Sequence, residues 1–390
     1  MEIEIGRGRK ARRAYGFDDI AIVPSRRTRD PEDIDVSFNL GPYRFALPVL
    51  ASAIDPVVSP ALAGEMTRLG GLAVLNLEGL WTRYDNAEEI FARVAELPAE
   101  HATAELQQLY AAEQVKPHLI SQRVKELKAA GAVAAGSLTP QSVQTLHEPA
   151  LAAGLDVLVI QGTVVSAEHV SRRLERPLNL KEFVPSVDVP VIVGGCASYE
   201  PALHLMRSGA AAVLVGVGPG AICTTRGVLG IGVPQATAIA DVAAARGQHL
   251  VETGEHCMVI ADGGMRTGGD VAKAVAVGAD AVMLGSALAY AAEAPGRGFN
   301  WGMATFHPEL PRGTRVQTPV TGSLQEILLG PARVPDGTMN LIGALRTSMA
   351  TAGYSDIPEF HNAELMVAPA LMTEGKTQQR SQGVGMGAGR

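Results

Sequence analysis

The stretch GVGPGAICTTRGVLG, residues 216–230, sets Cys223 after an apolar run, with Gly218 and Gly220 on one side and Thr224 and Thr225 on the other. A thiol in that setting is a candidate nucleophile, because the glycines let a substrate approach the backbone closely and the hydroxyls offer it hydrogen bonds. The same density of Gly and Thr predicts a loop over this stretch, with the next helix delayed until Pro234, whose fixed φ suits a helix start. Cys257 opens a hydrophobic run and reads as a small buried packing residue.

A second group of residues has the chemistry of a phosphate cradle. Asp262, Gly263 and Gly264 end one apolar run, and Gly285 with Ser286 ends the next. Glycines let backbone N–H groups close on phosphate oxygens, and Asp262, which would repel a phosphate, suits ribose hydroxyls. Tight strand-to-helix turns also favour Gly and Asp; two of them beside a Cys loop point to a phosphorylated ligand.

These residues need a scaffold, and the chain supplies one in eight short apolar runs: 46–53, 71–77, 132–138, 156–162, 189–195, 211–218, 257–264 and 281–288. Continuous apolar runs ending in Gly, Ser or Asp fit parallel strands covered by helices, whereas a half-exposed antiparallel strand would alternate. Eight of them predict an α/β fold, a (β/α)8 TIM barrel, whose post-strand loops form the catalytic face. MRSGAAAVLVG (206–216) and VAVGADAVMLG (275–285) repeat one pattern of helix end, Gly turn and buried strand.

Three segments break the regular spacing. A polar, helix-favouring insertion over about residues 80–128 includes the amphipathic stretch ELQQLYAAEQVKPHLISQRVKELKAAG and reads as helical decoration after strand 2. The Cys loop spans 216–233. After strand 8, residues 292–322 are packed with Gly and Pro and predict an active-site flap. The barrel domain is expected to span 1–375, with a flexible polar tail over 376–390.

Composition limits the remaining choices. A net charge of −7 argues against a nucleic-acid surface. Three widely spaced cysteines indicate neither a disulfide framework nor a CxxC zinc site, and a free nucleophilic thiol suits a reducing cytoplasm. The basic N-terminal segment has no apolar core of signal-peptide type, and no apolar run reaches spanning length, so no membrane association is expected.

GPGAICTTR, ADGG, MLGS, WGMAT and the early SAID (52–55) together resemble the IMP dehydrogenase and GMP reductase family, through nearly the whole barrel. More narrowly, the chain resembles the IMP dehydrogenase-related branch with no CBS domain. The resemblance implies that Cys223 adds to C2 of a purine nucleotide while a hydride passes between that carbon and a nicotinamide cofactor, NAD or NADP. It implies proton transfer by Thr225, ribose binding by Asp262, and phosphate binding by Gly263, Gly264, Gly285 and Ser286. Ser52 and Ile54 match positions lining the nucleotide pocket, and Gly302 with Met303 match the segment at the purine edge. The carbonyls of Gly218, Gly220 and Cys223 match a site for a monovalent cation such as K+, with Glu374 and Gly375 resembling its C-terminal part. A homotetramer is the assembly implied.

Departures from the family pattern bear on cofactor and direction. Ala221 replaces the usual Ser, Cys196 the usual Asn, and Gln161 the Asp expected at the nicotinamide ribose. No Arg-Tyr pair, the family's water-activating device in dehydrogenases, occurs between residues 292 and 322. The Glu of the reductases aligns with Arg312, with His307 and Glu309 nearby. Because hydrolysis needs a base that deamination does not use in the same way, the expectation leans to reduction of GMP to IMP over oxidation of IMP to XMP. Two other classes explain parts of the chain. An FMN-dependent barrel oxidoreductase would account for residues 261–291 but not for the Cys loop, and a non-catalytic purine-nucleotide sensor would account for Ala221 and Gln161.

Overall fold

The structure is a computed structural model, and it describes residues 2–169, 177–302 and 314–387. Each of the eight apolar runs forms one strand, β5 extending one residue past its run: β1 (Val49–Ala51), β2 (Leu72–Asn76), β3 (Ala135–Leu138), β4 (Val157–Gln161), β5 (Val191–Cys196), β6 (Ala212–Val215), β7 (Met258–Asp262) and β8 (Ala281–Leu284). All pair in parallel in chain order. The ring closes where Val282, Met283 and Leu284 of β8 meet Val49, Leu50 and Ala51 of β1.

The apolar runs are continuous because the staves are buried on both faces. Leu50, Val74, Val159, Leu214, Ile260 and Met283 belong to a cluster inside the ring, while Ala51, Leu75, Ile160, Val215, Ala261 and Leu284 pack outward under the helices. Phe38, Leu40 and Phe45, from the antiparallel strands Phe38–Leu40 and Tyr43–Phe45, join the inner cluster, so the hairpin plugs the ring. The main covering helices are α1 (Pro60–Leu69), α5 (Val143–Ala152), α6 (Tyr199–Met206), α8 (Gln235–Thr253) and α9 (Gly268–Ala276). Ser59 caps α1 and Thr267 caps α9, the latter in a reciprocal box with Asp270.

The insertion after β2 forms α2 (Ala87–Glu96), α3 (Ala99–Ala112) and α4 (Pro117–Ala129). Its long amphipathic stretch is two helices rather than one. Pro117 cannot continue the hydrogen-bond ladder of α3 and opens α4 instead, and the backbone N–H of Lys116 turns to the Thr82 carbonyl at 2.9 Å.

One expectation is corrected, and two segments gain detail. The Cys loop is not wholly irregular: α7 (Thr225–Leu229) forms within it and ends at Gly230 in the left-handed conformation, five residues before α8 begins. The flap is partly regular, its two ends pairing as an antiparallel ribbon, Phe299–Trp301 with Arg315–Gln317. The tail contains a short helix, Thr377–Gln382, that buries none of its side chains.

Candidate active site

One cleft of about 1220 Å³ opens at the C-terminal ends of the barrel strands. It is lined by Ser52, Ile54, Gln161, Gly218, Gly220, Cys223, Thr225, Asp262, Gly263, Gly264, Gly285, Ser286 and Gly302. The structure thus brings together residues drawn from the first to the last stave. Met303, His307, Glu309 and Arg312 lie outside the described residues, and Glu374 and Gly375, both exposed, are not in the cleft lining.

Cys223 is exposed, whereas the other two thiols are buried. Its Sγ donates to Thr225 Oγ1 at 3.2 Å, and its backbone N–H reaches back to the Gly220 carbonyl at 3.0 Å. Thr225 is 1 % exposed, held at the first turn of α7. Arg226 ties the loop down, donating from Nε to the Val217 carbonyl at 3.1 Å and from Nη2 to the Val233 carbonyl at 2.7 Å. By contrast, burial pushes the Cys196 thiol up to about 12 and moves Cys257 in the same direction. Neither buried thiol is a candidate nucleophile at neutral pH.

The cradle and the Cys loop are packed against each other. Gly263 and Gly264 both have positive φ, 76° and 80°, and a side chain on either would press on Pro219. Gln235 locks the two elements, its Nε2 donating to the Val215 carbonyl at 2.7 Å and the Asp262 carbonyl at 3.0 Å. Beside the cradle, the backbone N–H of Ser52 donates to the Leu284 carbonyl at 2.9 Å, and a side chain on Gly285 would meet Ile54. Asn300 Nδ2 donates to Ser286 Oγ at 3.2 Å.

Burial raises the Asp262 carboxyl to about 6, against the pull of Gln161, whose Nε2 donates to Oδ2 at 3.0 Å. Gln161 is therefore turned across the mouth toward Asp262. The open oxygens of Asp262 are suited to accept hydroxyl donors.

Sequence reasoning missed several lining residues. Arg266, two residues past Gly264, brings a cation into the lining of the same cleft; the run ADGGMR carried that signal. Glu78, Arg83, Gln107 and Tyr110 come from the end of β2 and from the insertion, which is thus part of the cleft wall and not decoration alone. Behind them lies Asp55, 0 % exposed, which accepts from Asn76 Nδ2 at 2.9 Å, from the Leu80 N–H at 2.8 Å and from the Tyr110 hydroxyl. Burial raises Asp55 despite these donors, and raises the Tyr110 phenol well above its ordinary value.

The comparisons agree with this geometry. Residues 14–377 match the family model for the IMP dehydrogenase / GMP reductase domain. The chain is 50 % identical to an uncharacterized oxidoreductase of Mycolicibacterium smegmatis over 94 % of this chain and 99 % of that one. It is 28 % identical to the inosine-5'-monophosphate dehydrogenase of Methanocaldococcus jannaschii, over 90 % of this chain and 91 % of that one. The crystal structure of an IMP dehydrogenase/GMP reductase-like protein from Corynebacterium glutamicum superposes with a TM-score of 0.88 at 44 % identity, covering 94 % of this chain and 97 % of that one. With the closed barrel, the Cys loop and the Gly cradle in one cleft, this extent of likeness establishes the chain as an oxidoreductase belonging to the IMP dehydrogenase/GMP reductase family.

Proposed function

We propose that the protein transfers a hydride between C2 of a purine nucleoside monophosphate and a nicotinamide cofactor, through a covalent adduct on Cys223. The observation that carries this reading is the one exposed thiol among three, bonded to a buried Thr225 hydroxyl and facing a Gly cradle across one cleft. Attack by Cys223 Sγ makes C2 tetrahedral and divides one difficult substitution into two easier steps. Thr225 holds the sulfur by a hydrogen bond and stands where a proton must move as the adduct forms and breaks. Asp262 accepts the ribose hydroxyls, and the backbone of Gly263, Gly264, Gly285 and Ser286, with Arg266, holds the phosphate.

A nicotinamide dinucleotide, NAD or NADP, when bound, accepts or supplies the hydride. The cleft exceeds the roughly 300–1,000 Å³ of a pocket for one small ligand, which fits two nucleotides side by side. Carbonyls of Gly218, Gly220 and Cys223 would hold K+, although that of Gly220 already accepts from the Cys223 N–H.

For direction, reduction of GMP to IMP with release of ammonia is the first reading, favoured by the absence of an Arg-Tyr pair between residues 292 and 322. Oxidation of IMP to XMP, in which water takes the place of Cys223 on C2, is the second, and the printed name of the Methanocaldococcus jannaschii relative supports it. A homotetramer in the cytoplasm is the setting that goes with both. Absorbance at the nicotinamide band, with IMP plus NAD in one cuvette and GMP plus NADPH in another, tests the proposal. Turnover in one cuvette, lost by at least a thousandfold in Cys223→Ala while IMP still binds, is the expected result. Turnover that survives in Cys223→Ala sinks the covalent mechanism, and silence in both with tight IMP binding replaces the enzyme by a sensor.

A further inference from the structure

Among the described residues the cleft wall carries two carboxylates, Asp262 and Glu78, and two arginines, Arg266 and Arg83. They fall into two sets on opposite arcs of the ring. Asp262 ends β7 and Arg266 follows it; Glu78 and Arg83 follow β2, and in a closed ring of eight the second stave lies opposite the sixth, next to the seventh. Each arc thus pairs a carboxylate that accepts hydroxyls with a guanidinium that takes phosphate oxygens.

The second set is built in place. Thr139 orients the Glu78 carboxylate, its backbone N–H donating to Oε2 and its hydroxyl to Oε1 at 3.2 Å, which leaves a lone pair free on each oxygen. Arg83 is anchored by backbone carbonyls: Nε donates to Glu78 O at 3.0 Å, and Nη1 to Tyr110 O at 2.9 Å and to Glu113 O. That accounts for three of the five guanidinium N–H groups, and Nη2 makes no bond among the described residues. The charge is held at the wall by dipoles, with no carboxylate of the described residues in contact. Gln161, the position where the family resemblance expects a ribose-binding acid, is instead engaged with Asp262.

We propose that Glu78 and Arg83 form a second ribose-phosphate subsite, in which Glu78 accepts the ribose hydroxyls of a dinucleotide and Arg83 binds its pyrophosphate. The inference rests on the hydride-transfer reading and assigns part of the cofactor site to the segment after β2, ahead of the insertion helices. Equilibrium binding without turnover tests it: NADH or NADPH is titrated by its own fluorescence, and IMP by calorimetry, into wild type, Glu78→Gln and Arg83→Gln, with melting temperatures recorded alongside. Each variant is expected to weaken dinucleotide binding by about 10- to 100-fold, as loss of a charge-assisted hydrogen bond does, and to leave IMP affinity within about twofold. In wild type saturated with IMP, inorganic pyrophosphate is expected to displace NADH competitively, a readout that needs no variant to fold.

Unchanged dinucleotide affinity in both variants, or equal loss of IMP binding, overturns the subsite while leaving the function standing. Failure of pyrophosphate to compete removes the role of Arg83. A wild-type protein that binds IMP but neither dinucleotide overturns the subsite together with the redox reading.

Discussion

Asp262 and Asp280 stand eighteen positions apart, at the C-terminal end of β7 and just before β8, and their surroundings drive them in opposite directions. Asp262, half-buried in the cleft wall with a single neutral donor among the described residues, is raised by desolvation to about 6. It therefore holds a proton in the ligand-free fold at pH values where the unfolded chain has lost it, so its contribution to stability is present below about pH 4 and is lost as pH rises through 6. Ribose hydroxyls need the ionised form. IMP affinity of the wild type should fall as pH drops below about 6, by up to tenfold per pH unit, and Asp262→Asn should bind weakly with that component of the pH dependence removed. Comparing the two proteins cancels the titration of the nucleotide's own phosphate. A wild-type curve parallel to that of Asp262→Asn would exclude Asp262 from ribose binding.

At the scale of elements, the insertion and the flap are one assembly. Trp301, 1 % exposed at the base of the flap, stacks on Phe91 of α2 with ring centres 5.8 Å apart and donates its indole N–H to the Tyr110 hydroxyl of α3 at 3.2 Å. On the returning strand, Arg315 donates to the carbonyls of Val94 at 2.5 Å and Leu97 at 2.6 Å, which end α2, and its guanidinium lies 4.1 Å from the Phe299 ring. A cation at a helix C-terminus complements the exposed carbonyl ends, and here Arg315 shares the Val94 carbonyl with the long 3.4 Å bond from the Leu97 N–H. Arg315→Met should free the ribbon from the insertion at a local cost of about 2–3 kcal/mol, faster amide exchange at Phe299–Trp301 and Arg315–Gln317 being the measurement. Exchange at the barrel strands should stay as in wild type; if the ribbon is equally protected in the variant, the insertion does not hold the flap.

For the whole molecule, what matters is how the ring of staves stays closed at the end opposite the cleft. Burial would raise Asp280, but His256, Arg246 and the Val259 N–H together outweigh it and hold its carboxyl below the usual range. Arg246 of α8 reaches it at 2.8 Å, and the Val259 N–H of β7 at 2.7 Å, so one side chain joins two staves and a helix. Its stabilisation is present above the unfolded Asp pKa and fades as pH falls through the lower folded value. Asp280→Ala leaves the half-buried Arg246 with the Gly278 carbonyl but no counter-charge, and leaves the Val259 N–H unpaired, and should cost about 3 kcal/mol, read as a lowered melting temperature. Activity per folded molecule at a permissive temperature should be unchanged, because residues at this end of a TIM barrel support stability rather than chemistry. A large loss of specific activity in folded protein would contradict that division.

The sequence by itself determined the staves and the chemistry carried on short stretches of chain. Parallel strands covered on both faces are apolar along most of their length, their polar exceptions Asn76, Ser137, Gln161 and Asp262 lining the cleft, so all eight were legible as runs, and a candidate nucleophile or Gly cradle lies within a few residues along the backbone. Cys223, Thr225 and Asp262 to Gly264 were legible for that reason. Local reading failed where a short-range preference met a longer-range constraint: Thr225 opens a helix inside a stretch that composition marks as loop, and Pro117 divides an amphipathic stretch into two helices. Only the tertiary structure decided which distant side chains meet. Gln161 finds Asp262 101 positions away, and Tyr110 finds Trp301 191 positions away, because closure of the ring brings all eight post-strand loops to one mouth. Arg83 and Tyr110 give no local sign of a place in the cleft, since an insertion's polar residues look like a solvated surface until the fold turns them toward it.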